Sequence, residues 1–167
     1  LYYYETLLGL EQLATSPDGK DPKNCDSTLR TMSEAFHAAM CDDFNTPKAI
    51  GEFNKLIKQI NVWLGAYKSN PVKDLKEKAL ATVRDLGGIL GVLSAPAQEF
   101  VRQHNLQVLA ELKMGEDEVL KQIKVRTQAR EDKDWAKSDA IRDELKEKGI
   151  ALKDLPNGTV WSIIWDE

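Results

Sequence analysis

The sequence predicts a mainly α protein: an antiparallel helical bundle over residues 1–113, then a small mixed α/β unit of two helices and a β-hairpin over residues 114–167. Three observations predict this. Apolar residues recur at three- and four-residue spacing through most of the chain. Breaks bearing Pro, Gly or Asn separate the periodic stretches, and short breaks join antiparallel neighbours. Near the C-terminus the period shortens, and an Asn-Gly pair, the strongest short hairpin signal, lies between two apolar runs.

Taken in order, residues 1–14 have helical spacing through Leu1, Tyr4, Leu7, Leu8 and Leu10. Residues 15–24 (TSPDGKDPKN) form a polar Pro/Gly loop. Asp26 or Ser27 is placed to cap a helix running to about Asp42, with Leu29, Met32, Phe36 and Met40 on its inner stripe. Asn45-Thr46-Pro47 restarts the helix, with Thr46 expected as the cap and Pro47 in the first helical position. Ile50, Phe53, Leu56, Ile57, Ile60 and Leu64 carry that helix to a break at Ser69-Asn70-Pro71. The next helix carries Leu75, Leu80, Val83, Leu86, Ile89 and Leu90, and Gly87-Gly88 within it allows close packing or a bend. Ser94-Ala95-Pro96 turns the chain into a shorter helix.

The C-terminal unit follows a different pattern. A helix from Glu116 to about Glu131 opens on acidic residues, which suit the positive end of its dipole. Asp134 can cap a second helix running to about Lys148, and Gly149 is its expected stop. Residues 150–152 and 160–164 read as two short strands around Pro156-Asn157-Gly158-Thr159. A lone hairpin is marginal in water, so its apolar face should pack on the two helices.

Net charge is −4 over 167 residues, which excludes a uniformly basic, phosphate-attracting surface. The charge is uneven. Lys121 to Asp154 holds ten Lys/Arg against eight Asp/Glu (+2), and the remainder thirteen against nineteen (−6). Any nucleic-acid contact is therefore expected to be local and C-terminal. No run is long and apolar enough to span a membrane, and no signal-peptide pattern is present, so the expected setting is the cytoplasm. Two cysteines, Cys25 and Cys41, make no disulfide framework. The chain starts at Leu1 within Leu-Tyr-Tyr-Tyr, without an initiator Met, which suggests a piece of a larger protein. Tyr2, Tyr3 and Tyr4 would then face the rest of it.

On a helical wheel at 100° per residue, Val119, Leu120, Ile123 and Thr127 share a stripe, and Arg126 and Arg130 fall on its edge. An arginine there needs a carboxylate or phosphate partner, or must reach water. On the next helix Ile141 and Leu145 define the core line, and Trp135, Asp139 and Arg142 the adjoining ridge. Trp135 sits beside the corner where Arg130 and Lys133 end the preceding helix. Aromatic, guanidinium and carboxylate groups on a rigid corner suit unpaired RNA bases: the ring stacks, while Asp139 or Asp154 accepts from base N–H groups. The residues equally fit a structural reading, with Trp135 a lid on the core and the arginines in ion pairs. On that reading the chain is a helical protein-interaction module. His37 and Cys41 share a helix face at i, i+4, but two such residues seldom make a metal site alone. The chain has no Gly-rich phosphate loop, zinc-type cysteine pair or nucleophile triad.

Two blocks resemble the C-terminal region of the cysteinyl-tRNA synthetases. Residues 39–50 (AMCDDFNTPKAI) are similar to that family's AM-x-DDFNTP-x-A helix junction, and residues 86–93 (LGGILGVL) to its LGG-x-LGLL helix end. Ala129-Arg130-x-x-Lys133-Asp134-Trp135-Ala136-x-x-Asp139 forms the second block, which continues to Asp154, Pro156, Gly158-Thr159 and Trp161. The resemblance runs from about Arg30 to Trp161. It implies a helical domain of the type appended to class I synthetases, followed by an anticodon-binding unit. The implied anticodon contacts are Arg130, Trp135, Asp139 and Asp154, with Trp135 stacking on an anticodon base; Lys133, at the same corner, completes the expected RNA-binding set. The implied partners are the anticodon arm of cysteine tRNA and an N-terminal catalytic domain of the same protein.

No HIGH-like or KMSKS-like motif is present, so no catalytic residue is expected here. By resemblance, ATP and zinc belong to the parent enzyme and no cofactor to this piece, which should be inactive alone. The tail Ser-Ile-Ile-Trp-Asp-Glu is acidic where many members are basic. A related ligase joining cysteine to a small acceptor is a poorer match, since it has no anticodon to read.

Overall fold

A computed structural model describes residues 1–68, 70–155 and 158–164, and among these the chain is mainly helical. Its elements are α1 (Tyr2–Gln12), α2 (Cys25–Cys41), α3 (Thr46–Ala66), α4 (Leu75–Ile89), α5 (Ala97–Glu111), α6 (Glu116–Glu131), α7 (Trp135–Glu147), β1 (Ile150–Leu155) and β2 (Gly158–Ile163). Two compact units divide the chain, Leu1–Val101 and Arg102–Glu167. Ser69, Pro156, Asn157 and the last three residues lie outside the described residues. The first residue of the expected break, the centre of the Asn-Gly turn and the acidic end of the tail therefore have no structural account.

In the first unit α2 packs on α3 and α4, and α1 on α3 and α4. Phe36, Phe53, Leu56, Ile57, Ile60 and Leu86 are fully buried between them. Burial of such side chains contributes roughly 1.5–3 kcal/mol each, so this core carries most of the unit's stability. Two positions expected inside, Ile50 and Ile89, are exposed, and Ala49, Trp63 and Gly87 take the inner positions instead. Close approach explains Gly87, where a Cβ would come within 3.1 Å of Leu93. Tyr3 and Tyr4 are partners of this unit rather than an open surface. Tyr3 donates its hydroxyl to Asn54 Oδ1 at 2.6 Å and meets Phe53 edge-on, and Tyr4 stacks on Phe100 at 3.8 Å.

The helix starts differ from expectation by local chemistry. Asn45, not Thr46, caps α3, accepting from the Lys48 amide at 3.2 Å and moving Pro47 to the second helical position. α2 starts at Cys25 after Asn24, whose left-handed backbone (φ +61°) turns the chain in, and neither Asp26 nor Ser27 caps it. The loop before α2 is also more than a connector. Ser16 and Lys20 donate backbone bonds to Val72 and Pro71. Asp21 accepts from the amides of Lys73, Asp74 and Leu75 and so caps α4 from more than fifty residues away.

In the second unit α6 packs on α7 and α7 on β1. Leu109, Val119, Ile123, Ile141, Leu145, Ile150 and Ile163 form its core. β1 and β2 pair antiparallel, with Ile150 opposite Ile163, Leu152 opposite Trp161 and Asp154 opposite Thr159. Side chains two apart on a strand share a face. Asp154 and Thr159 therefore share the face of buried Ile150 and Ile163, at the end where the apolar pairs stop.

Candidate nucleic-acid interface

The corner between α6 and α7 is closed by backbone chemistry. Asp134 N–H donates to the Ala129 carbonyl at 2.8 Å and Lys133 N–H to the Arg130 carbonyl at 3.1 Å, the paired bonds of a Schellman stop. Lys133 holds the left-handed position at φ +60°, usually given to glycine. One residue later Asp134 caps α7, accepting from the Lys137 amide at 3.1 Å. This fixes Trp135 as the first helical residue, where its ring finds little to pack against. It is 58% exposed, so it is not the core lid that the residues alone left open.

Behind the corner lies a carboxylate cluster. The buried line of α6 runs Val119, Ile123, Arg126, Ala129, while Leu120 and Thr127, expected on that stripe, are exposed. Arg126 thus stands where an apolar residue belongs. It grips Asp154 with both ends of its fork, Nη1 to Oδ1 at 2.9 Å and Nη2 to Oδ2 at 3.0 Å. Arg130, one turn on, donates to the same Oδ2, and Thr159 Oγ1 donates to Oδ1 at 2.7 Å. The Arg126 hydrogen bonds hold the Asp154 carboxyl well below its ordinary value of 3.8, outweighing partial burial, and Thr159 and Arg130 add to the effect. The same pairing pushes the Arg126 guanidinium up.

Arg130, Lys133, Trp135 and Asp139 are exposed on the α6–α7 surface. Asp139 is near enough for its charge to act on Arg126. Asp154 sits on β1, joined to α6 through the two arginines. Arg142 is exposed on α7, and Trp161 is partly buried against the second core. Arg126 and Thr159 were not among the expected contacts. The wheel had marked Arg126 as misplaced, whereas Thr159 becomes visible only once the register puts it opposite Asp154. Cys25 and Cys41 are free thiols, and no three His, Cys, Asp or Glu side chains gather as metal ligands among the described residues.

Chemically, the surface offers a flat ring for stacking, a planar cation and a fixed carboxylate on one small unit. Stacking accepts any base, whereas the cation and carboxylate favour particular base edges.

Comparison with known proteins identifies the two units by family. Residues 35–94 match the DALR domain, and residues 111–161 match the cysteinyl-tRNA ligase anticodon binding domain. A cysteine–tRNA ligase of Desulfotalea psychrophila is 39% identical, over 96% of this chain and 34% of its own length. One from Pasteurella multocida is 38% identical over 91% of the chain and 31% of its length. The chloroplastic/mitochondrial cysteine–tRNA ligase of Arabidopsis thaliana is 33% identical over 96% of the chain and 30% of its length. The chain spans about a third of the length of these relatives. With a DALR domain followed by an anticodon-binding domain, the chain belongs to the cysteinyl-tRNA synthetase family and corresponds to its C-terminal region.

Proposed function

We propose that this chain reads the anticodon of cysteine tRNA and so contributes tRNA selection to the attachment of cysteine. The carrying observation is the exposed Trp135, held by the Lys133–Asp134 corner beside Arg130. A large aromatic left in water on a rigid helix start favours a stacking partner outside the chain. Trp135 stacks on an anticodon base. Arg130, Asp139 and Asp154 meet base edges, and Lys133 draws the backbone.

In the whole enzyme a catalytic domain of the same protein, N-terminal to this region, uses ATP to form cysteinyl adenylate and passes the cysteine to tRNA. ATP and zinc belong to that part on this reading, and no residue here is assigned to either. On this reading anticodon recognition belongs to residues 114–167, and residues 1–113 are the helical bundle domain of the synthetase. The work takes place in the cytoplasm; among the described residues no helix is long and apolar enough to cross a membrane.

Binding to cysteine tRNA, to the same tRNA with a changed anticodon and to an unrelated tRNA, each titrated with salt, tests this. Preference for the native anticodon supports it. Equal binding to all three rejects anticodon reading by this chain.

A further inference from the structure

We infer that Arg126, whose side chain is buried behind the surface, is the positioning residue of the reading surface: it clamps Asp154 in one plane, so that the single, exposed bonds from Arg130 and Thr159 are the ones left to exchange with a base. This rests on the anticodon-reading function proposed above.

A carboxylate has about four acceptor positions. In Asp154 all four are filled, two by Arg126, one by Thr159 and one by Arg130. The four bonds are not equivalent. The Arg126 side chain is 5% exposed and grips both oxygens, which fixes the plane of the carboxylate. The Arg130 side chain is 42% exposed and holds one oxygen only. Water competes for an exposed single bond but not for a buried fork. The exchangeable acceptor positions are therefore the two held by single, exposed bonds, on Oδ2 by Arg130 and on Oδ1 by Thr159. A base amino or imino N–H that takes the position on Oδ2 frees the Arg130 guanidinium to donate to a base acceptor.

Stability alone gives no reason for Arg126. A guanidinium within a buried helical line is generally no better for folding than an apolar side chain of similar length. Its Nε has no partner among the described residues, which adds to the cost. What the arginine supplies and an apolar side chain cannot is a fixed, charged Asp154 at the rim of the core.

The test uses the whole 167-residue chain and anticodon stem–loop RNAs, one with the cysteine anticodon and a set with single-base changes. Arg126→Met is expected to bind the cysteine stem–loop about tenfold more weakly and to lose most discrimination against at least one changed base. Its salt dependence should match wild type, because no phosphate contact is removed. If Arg126→Met does not fold, Arg126→Lys decides: lysine keeps the charge but cannot grip both oxygens, and it should lose discrimination in the same way. A folded variant with wild-type discrimination overturns the positioning role while leaving anticodon reading intact. Wild-type protein that does not discriminate overturns both.

Discussion

Lys133 and Gly149 follow α6 and α7 in the same left-handed conformation, φ +60° and +79°, yet only one of them is a glycine. The left-handed region costs a side-chain-bearing residue roughly 1–2 kcal/mol. Lys133 bears that cost at the corner that positions Trp135, and strained backbone collects at functional sites. Lys133→Gly should therefore stabilise the unit by about 1 kcal/mol in urea unfolding while weakening tRNA binding and lowering its salt slope by about one unit. Stabilisation with unchanged binding would remove Lys133 from the interface.

Trp135→Ala separates the proposed reading surface from the fold more sharply. The ring is mostly in water, so its removal should change unfolding free energy by no more than about 0.5 kcal/mol. Loss of base stacking should weaken tRNA binding by roughly 1–3 kcal/mol. Urea denaturation and equilibrium binding measured on the same preparation check this. Early melting, or full affinity, would return the tryptophan to a structural role.

Gly19 lies against the backbone of residues 71–72, where a Cβ would come within 2.5 Å of the Val72 carbonyl carbon and 2.8 Å of the Pro71 oxygen. Backbone cannot retreat as a flexible side chain can. Gly19→Ala should therefore open the loop that caps α4 and lower stability by roughly 1–3 kcal/mol. A urea midpoint equal to wild type would show that the loop yields freely. Anticodon discrimination should survive, since the proposed reading surface lies in the other unit.

The division between legible and hidden features follows the range of the interactions. Helices α2 to α4, α6 and α7 could be read because their apolar spacing is local. The Asp134 cap and the Gly149 stop were visible for the same reason. Helix starts set by one bond, such as Asn45 to the Lys48 amide, moved by a residue because Thr46 is nearly as good a cap. Arg126 was legible as an anomaly, but its partner was not: Asp154 is 28 residues away and enters through strand register. The Asp21 cap on α4 was hidden entirely, since nothing in a polar loop shows which distant amides it will meet.

Asp21 also gives a dependence on pH that can be isolated. Partial burial pushes its carboxyl up, but the Asp74, Leu75 and Lys73 amides outweigh this and hold it below 3.8. The folded carboxyl then stays ionised at a pH where the unfolded one has taken a proton. In that window the unfolded state binds more protons, so stability rises with pH. The contribution is fully present above about 3.8 and is lost as pH falls through the folded value. Asp154 follows the same sign, with Arg126 as the main cause. Urea midpoints measured from neutral pH down to about pH 2 should therefore fall steeply at the acid end in wild type. Asp21→Asn retains an acceptor oxygen but has no proton to take up, so the acid limb of the first unit should flatten. An unchanged acid slope in that variant would mean that the amides at the start of α4 do not hold the Asp21 charge.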